Sequence, residues 1–163
     1  KFMEKTADKQ LYGDVNYTVF ESSQFEPATQ PNDVDIVLVI RALHIWDERG
    51  TLLQSLKSLK DVMKPGAVLG IVQHRSKQLS SISSSASEGY MDERYVIDAV
   101  KQAGFKFVAA SDINQNSKDS KDHPRGVYTL PPTLAMGNVD RDKYLAIGES
   151  DRMTLKFIKP LND

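Results

Sequence analysis

Two continuous apolar runs with a helix-like segment between them constrain the fold most. The runs are "DIVLVI" at 35–40 and "AVLGIVQH" at 67–74. Runs of this length, rich in β-branched residues, are typical of strands buried on both faces. Between them, 51–64 carries leucines at helical spacing and ends at the turn-forming Pro65-Gly66. This order predicts a right-handed βαβ unit with two parallel strands, and it places 35–40 in the centre of the sheet.

Further segments extend the pattern in both directions. A short strand is predicted at 16–20, and a helix at 92–104 has an aspartate at its N-cap position and a glycine after its end. A third strand of the buried type follows at 105–113. The segment 152–159 alternates apolar and polar residues, which is typical of a half-exposed antiparallel strand. The sequence therefore predicts an α/β fold with helices on the faces of a mostly parallel sheet and an antiparallel last strand.

Composition narrows the class of protein. With 163 residues we expect one domain over 1–163, and a formal net charge of -1 gives no electrostatic case for nucleic acid or an anionic membrane. The chain has no cysteine, which excludes disulfides and thiolate metal sites and fits a cytoplasmic location. No apolar run approaches the roughly 20 residues that span a bilayer. An upstream signal peptide would lie outside this sequence.

Four motifs resemble those of known protein families. "LKSLKDVMKPGAVLGIVQH" (56–74) and "AGFKFV" (103–108) resemble the helix–turn–strand unit and the next turn of class I S-adenosylmethionine-dependent methyltransferases. "GVYTLPP" (126–132) and "YLAIGESDRMTLKFIKP" (144–160) resemble a bacterial group of predicted methyltransferases. The resemblance covers nearly the whole chain. It implies a Rossmann-like doubly wound sheet, S-adenosylmethionine as the cofactor and a small-molecule methyl acceptor.

One departure from the family concerns the N-terminal part. The family binds its cofactor through a glycine-rich loop after strand one, and this sequence has no such loop. Matching the order of elements places 16–20 at strand three and 35–40 at strand four, so strands one and two are apparently missing. We expect the chain to be the C-terminal two-thirds of an N-terminally incomplete domain that binds the cofactor weakly on its own. The alternative is a partner chain that fills the gap.

The carboxyl ends of the strands are the expected ligand-binding edge of such a sheet. After strand three come Glu21 and Ser22, which the resemblance places near the adenine amine, although Glu21 also reads as a solvated loop residue. After strand four come Ile40, Arg41 and Leu43, which the resemblance places beside the methionine end of the cofactor.

Three residues at this edge have competing interpretations. Arg41 binds a carboxylate, lines the substrate cavity, or forms a salt bridge with an acidic neighbour such as Asp47 or Glu48. His44 and His74 follow strands four and five and are candidate catalytic bases, because a histidine titrates near neutral pH. The alternative is that each histidine only hydrogen-bonds its own turn. The serine-rich segment that follows, 75–89, is either a lid or an ordinary disordered loop.

The remaining candidates have favoured structural interpretations. Asp119, Asp122 and His123 match no compact metal site, so we predict no metal and read them as solvated loop charges. Asp151-Arg152 predicts a structural ion pair or a turn. Three aromatic residues line a pocket or simply pack, namely Trp46, Tyr90 and Tyr128.

Three functions remain open from the sequence. Methyl transfer needs little from side chains beyond alignment and exclusion of water, so the lack of a strong catalytic motif does not argue against it. A methyltransferase-like domain that binds a ligand or partner without turnover is the main alternative, and another doubly wound nucleotide-binding enzyme, such as a dehydrogenase, is the third. Each is compatible with a homo-oligomer.

Overall fold

The computed structural model describes residues 2–15, 31–77 and 86–162. The strand predicted at 16–20 and the candidate residues Glu21 and Ser22 lie outside these ranges. The described elements are, in chain order, α1 (Phe2–Lys5), α2 (Lys9–Tyr12), β1 (Val34–Ile40), α3 (Leu43–Glu48), α4 (Leu52–Val62), β2 (Met63–His74), α5 (Glu93–Gln102), β3 (Lys106–Ser111), α6 (Arg141–Ile147) and β4 (Arg152–Ile158), with short 3₁₀ turns at Ala86–Glu88 and Gly126–Thr129.

The four described strands form one sheet in the order β1-β2-β4-β3. β1 and β2 pair in parallel, and β4 runs antiparallel to both β2 and β3. Three strands therefore share one direction and the last strand opposes them. This arrangement confirms the predicted fold class, a mostly parallel α/β sheet with an antiparallel last strand.

The helices α4 and α5 form where the periodicity predicts them. α4 buries its leucine stripe and ends at Val62, and β2 begins at the next residue, Met63, so the predicted turn residues Pro65-Gly66 lie within β2. In α5, the Asp92 carboxylate accepts a hydrogen bond from the Tyr95 backbone N–H at 2.9 Å, and Gly104 follows the helix with φ of +93°. The core lies between these helices and one face of the sheet, and its largest members include Leu56, Leu69 and Phe157.

β1 differs from the prediction of a central strand buried on both faces. It is an edge strand of the described sheet, and Ile36, Leu38 and Ile40 are 61%, 67% and 55% exposed. Val39, on the other face, is buried. The physical reason is that the core-forming helices α3, α4 and α5 all pack on one face of the sheet. Over the described ranges, the opposite face of β1 has no cover.

β3 also differs from the buried type of strand. It is the other edge of the described sheet, and its side chains are exposed except for the partly buried Phe107. Val108 lies where the register with β4 shifts and is 47% exposed. The apolar composition of β3 therefore does not reflect two covered faces. β4 is half-exposed, as its alternation predicts.

Candidate functional site

A cavity of about 270 Å³ lies at the carboxyl ends of β1 and β2. Ile40, Arg41, His44 and Ile45 come from the end of β1 and the start of α3, and His74 ends β2. The rest of the wall comes from two later stretches, within 127–133 and 149–152. The four stretches converge because parallel strands end at the same edge of a sheet and the loops close over that edge.

A chain of polar groups leads from the buried sheet to the cavity. The Gln73 amide donates to the Gly89 carbonyl at 2.8 Å and lies 3.2 Å from His44 Nδ1. His44 Nε2 lies 3.3 Å from the Tyr128 hydroxyl, which is on the cavity wall. A neutral imidazole has one N–H and one lone pair, so His44 donates a hydrogen bond to one of these neighbours and accepts one from the other.

His74 lies beside His44 in an environment that disfavours a positive charge. Its Nδ1 is 2.5 Å from the Ser150 hydroxyl, and the two imidazole centroids are 5.8 Å apart. Burial lowers the pKa of His74 to about 4, assisted by the positive charges of His44, Arg41 and Arg152. Burial also lowers the pKa of His44. Both rings are therefore neutral at neutral pH and each retains a lone pair.

Arg41 adopts a left-handed backbone conformation at the end of β1. Its φ is +56°, and its N–H donates to the Val72 carbonyl at 2.7 Å. Such a conformation costs a non-glycine residue about 1–3 kcal/mol and is concentrated at functional sites. Among the described residues its guanidinium has no ion-pair partner, so the predicted alternative of a salt bridge to Asp47 or Glu48 is wrong.

The predicted site residues divide into three groups. Ile40, Arg41, His44 and His74 meet at the cavity. Leu43 lies in the hydrophobic core, where its side chain is 1% exposed, so it is not on the cavity wall. The adenine-side candidates lie outside the described ranges and stay predictions.

Asp119 is the centre of a buried cluster, which corrects the interpretation of solvated loop charges. Its carboxylate accepts hydrogen bonds from the Tyr90 hydroxyl at 2.9 Å, from the Asp151 backbone N–H at 2.8 Å and from the Lys121 backbone N–H at 3.0 Å. His123 Nε2 also lies 2.9 Å from it, and both Asp119 and His123 are buried. Only Asp122 of the predicted trio is exposed. An irregular loop has no periodicity from which such burial could be predicted.

Asp151 and Arg152 each form an ion pair, as one of the two sequence interpretations predicts, but with other residues and not with each other. The Asp151 carboxylate pairs with Lys121 at 2.7 Å, and the Arg152 guanidinium pairs with Glu149 at 2.6 Å. Arg152 also lines the cavity, which the sequence did not indicate.

Of the three aromatic candidates, only Tyr128 lines the cavity. Tyr90 is buried, with its ring centroid 6.4 Å from that of His74, so it supports the site from behind. Trp46 packs against the hydrophobic core. Sequence reasoning missed Gln73 and Ser150. Gln73 could have been found, because it is a polar residue at an inward-facing position of a predicted strand. Nothing in the sequence around Ser150 indicates a role at the site.

Within residues 2–15, 31–77 and 86–162, no three metal-ligating side chains come together. The helices in these ranges lack the length and apolar composition of a membrane span.

Gly126 sets the position of the loop that carries Tyr128. A Cβ at Gly126, whose φ is +53°, would lie 2.2 Å from the Glu88 carbonyl oxygen. We expect Gly126→Ala to lower the free energy of unfolding by about 1–3 kcal/mol and to move Tyr128 away from His44. Urea unfolding and the NMR shifts of His44 would measure both effects. Gly137→Ala is the matched control, because Gly137 also has positive φ but nothing near its Cβ position. Equal losses in the two variants would contradict the prediction.

The fold of the chain is shared with proteins of known structure. No family model matches the chain, and no curated protein matches it. Several solved structures are similar to it. The [4+2]-cyclase SpnF is 14% identical, with 98% of this chain and 61% of that chain covered and a TM-score of 0.65. An S-adenosylmethionine-dependent methyltransferase from Aquifex aeolicus is 16% identical, with 95% and 60% covered and a TM-score of 0.56.

A third similar structure was solved with two bound small molecules. Haemonchus contortus phosphoethanolamine N-methyltransferase 2, solved with phosphomonomethylethanolamine and S-adenosylhomocysteine, is 16% identical, covers 98% of this chain and 39% of its own, and has a TM-score of 0.57. The chain has a methyltransferase-type fold. It spans about three fifths of the length of the first two similar structures. In this methyltransferase-type fold the cavity occupies the carboxyl edge of the sheet.

Proposed function

We propose that the chain is part of an S-adenosylmethionine-dependent methyltransferase that acts on a small-molecule acceptor. The observation that carries the proposal is the cavity at the carboxyl ends of two adjacent parallel strands, in a fold shared with methyltransferases. Ligands of open α/β sheets bind at this edge. A cavity of about 270 Å³ is small for a ligand pocket, which favours a small acceptor.

The described residues at the cavity rim fit one end of the cofactor. Ile40 offers an exposed apolar side chain, and Arg41 offers a guanidinium without an ion-pair partner in the described ranges, which suits the methionine carboxylate. Glu21 and Ser22 are the proposed contacts of the adenine. The cofactor supplies an activated methyl group, so the protein has to align the acceptor and exclude water.

His44 and His74 are the proposed proton acceptors. When the acceptor atom gains the methyl group it loses a proton, and a neutral imidazole at the cavity takes that proton through its lone pair. The lowered pKa of each histidine keeps it neutral and available at pH 7. Tyr128, beside His44, extends the hydrogen-bond path to the cavity surface.

A domain of this fold that does not transfer methyl groups is the second candidate. It is favoured by the similarity over 98% of the chain to a protein described as a [4+2]-cyclase. Cofactor binding alone does not separate the two candidates. Transfer of the labelled methyl group of S-adenosylmethionine to a small-molecule pool does separate them.

Calorimetry with S-adenosylhomocysteine tests the proposal. The protein should include any residues that its gene encodes before Lys1. We expect saturable binding that Arg41→Gln weakens about tenfold, because one charge-assisted contact is lost. Lys156→Gln, on the exposed side of β4, is the matched control for loss of a positive charge and should bind normally. The absence of binding at millimolar ligand would exclude the methyltransferase function.

A further inference from the structure

We infer that the cavity binds an acceptor with an acidic group, held by Arg152. This inference rests on the proposed function, and it adds the chemical class of the acceptor. The first observation is the partial pairing of Arg152. Its Nη2 pairs with Glu149 at 2.6 Å, while its buried Nε has no hydrogen-bond partner in the described ranges. A guanidinium presents five N–H donors, and Arg152 lines the cavity, so a ligand that displaces the Glu149 carboxylate can pair with the Nη2 end of the group.

The second observation is the way Arg152 is held. Its backbone belongs to β4 and pairs with His74 in β2, and its side chain is only 19% exposed. A partly buried guanidinium on a strand has less rotamer freedom to lose when a ligand arrives than an exposed one. An oxyanion that binds it therefore loses less entropy than it would at a surface arginine.

The third observation is the distribution of charge and apolar surface on the wall. Two of the lining residues, Arg41 and Arg152, are positive, and one, Glu149, is negative. Glu149 is 49% exposed and pairs with Arg152, so it occupies the position that a ligand carboxylate would take. Val127, Pro131 and Pro132 supply apolar surface for the body of the acceptor. The chemistry is that of a small acid with an apolar body.

The neutral histidines indicate which group of the acceptor is methylated. With the acidic group on Arg152, the remainder of the molecule extends toward His44 and His74 on the same wall. A hydroxyl there donates to an imidazole lone pair and can lose its proton as it is methylated. The acceptor is thus a small hydroxy acid, either a carboxylate or a phosphate.

Binding of three simple probes tests the acidic class. Benzoate, its neutral isostere benzamide and phenyl phosphate are titrated into the protein by NMR. We expect benzoate or phenyl phosphate to bind at least about tenfold more tightly than benzamide, since a charged hydrogen-bond pair is gained. The ratio between the two anions separates a carboxylate from a phosphate acceptor. Equal binding of benzoate, phenyl phosphate and benzamide would overturn the inference.

Two variants with opposite expected effects locate the site. Arg152→Gln should weaken anion binding roughly 10- to 100-fold and leave benzamide unchanged. Glu149→Gln should strengthen anion binding about two- to fivefold, because Arg152 loses its competing carboxylate. The matched controls are Lys156→Gln and Asp142→Asn, which change the same charges at exposed positions away from the cavity wall. Equal effects in the controls would overturn the inference.

The design keeps the two proposals separate. If Arg152→Gln does not fold, as judged by circular dichroism, the gain in Glu149→Gln still decides the inference. Binding of S-adenosylhomocysteine without any preference for acids would support methyl transfer and reject the acidic acceptor. Arg152-dependent anion binding without cofactor binding would support the acid site and reject methyl transfer.

Discussion

Asp119→Ala is expected to lower the free energy of unfolding by about 3–5 kcal/mol. The substitution removes the acceptor of hydrogen bonds from Tyr90 and from the backbone N–H groups of Lys121 and Asp151. It also removes the partner of the buried His123. Each buried donor left without an acceptor costs about 1–3 kcal/mol, and the costs are not additive because all the donors surround one carboxylate. Urea unfolding followed by circular dichroism would measure the loss.

Asp122→Ala is the matched control in the same loop. Asp122 is exposed, and within the described ranges its carboxylate pairs with the side chains of Ser120 and the exposed Lys77. Its removal should leave the unfolding midpoint unchanged, because exposed ion pairs contribute little. If the two variants unfolded at the same urea concentration, the buried cluster would not have the stabilising role described here. Because Tyr90 packs beside His74, Asp119→Ala should also disturb the cavity.

The second large effect is a dependence of stability on pH that comes from His74. Its folded-state pKa of about 4 lies below the unfolded value of 6.5. As pH falls below 6.5 the unfolded chain takes up a proton that the folded protein resists until about pH 4. The stabilisation is therefore complete above pH 6.5 and is lost on acidification to pH 4. This difference in pKa corresponds to a loss of roughly 3 kcal/mol in the free energy of unfolding.

His74→Asn provides the measurement. Its amide nitrogen lies near the position of Nδ1 and can keep a contact with Ser150, but it does not titrate. The other acids and bases of the protein titrate in both proteins, so the difference between the two stability curves isolates His74. We expect the wild type to lose about 3 kcal/mol more than the variant between pH 7 and pH 4. Parallel curves would show that the imidazole is not held neutral.

The sequence predicted the elements whose signal is local. Three such elements were confirmed: α4 from its leucine spacing, α5 from its N-cap aspartate and β4 from its alternation of apolar and polar residues. Each of these patterns involves residues that are close together in the sequence. The burial of β1 and β3 was predicted wrongly. An apolar strand has two faces, and its own residues do not specify whether another element covers the second one.

The same distinction applies to the candidate site. Ile40, Arg41, His44 and His74 could be found because they follow strands, and parallel strands end at one edge. Tyr128 was a candidate for the pocket wall, but its contact with His44 could not be predicted, and Ser150 was missed. These two residues reach the histidines across 84 and 76 residues of sequence, from segments with no periodic pattern. Asp119 was misread for the same reason, since its donors come from three separate segments.

The cavity is formed by four stretches that are distant along the chain, so it exists only in the folded protein. A molecule that fills it binds the native state and not the unfolded state. Such a molecule raises the free energy of unfolding by mass action, by about 2.7 kcal/mol at a concentration one hundred times its dissociation constant. The natural acceptor can therefore be recognised among cellular metabolites by the rise in melting temperature that it causes, before any reaction is known.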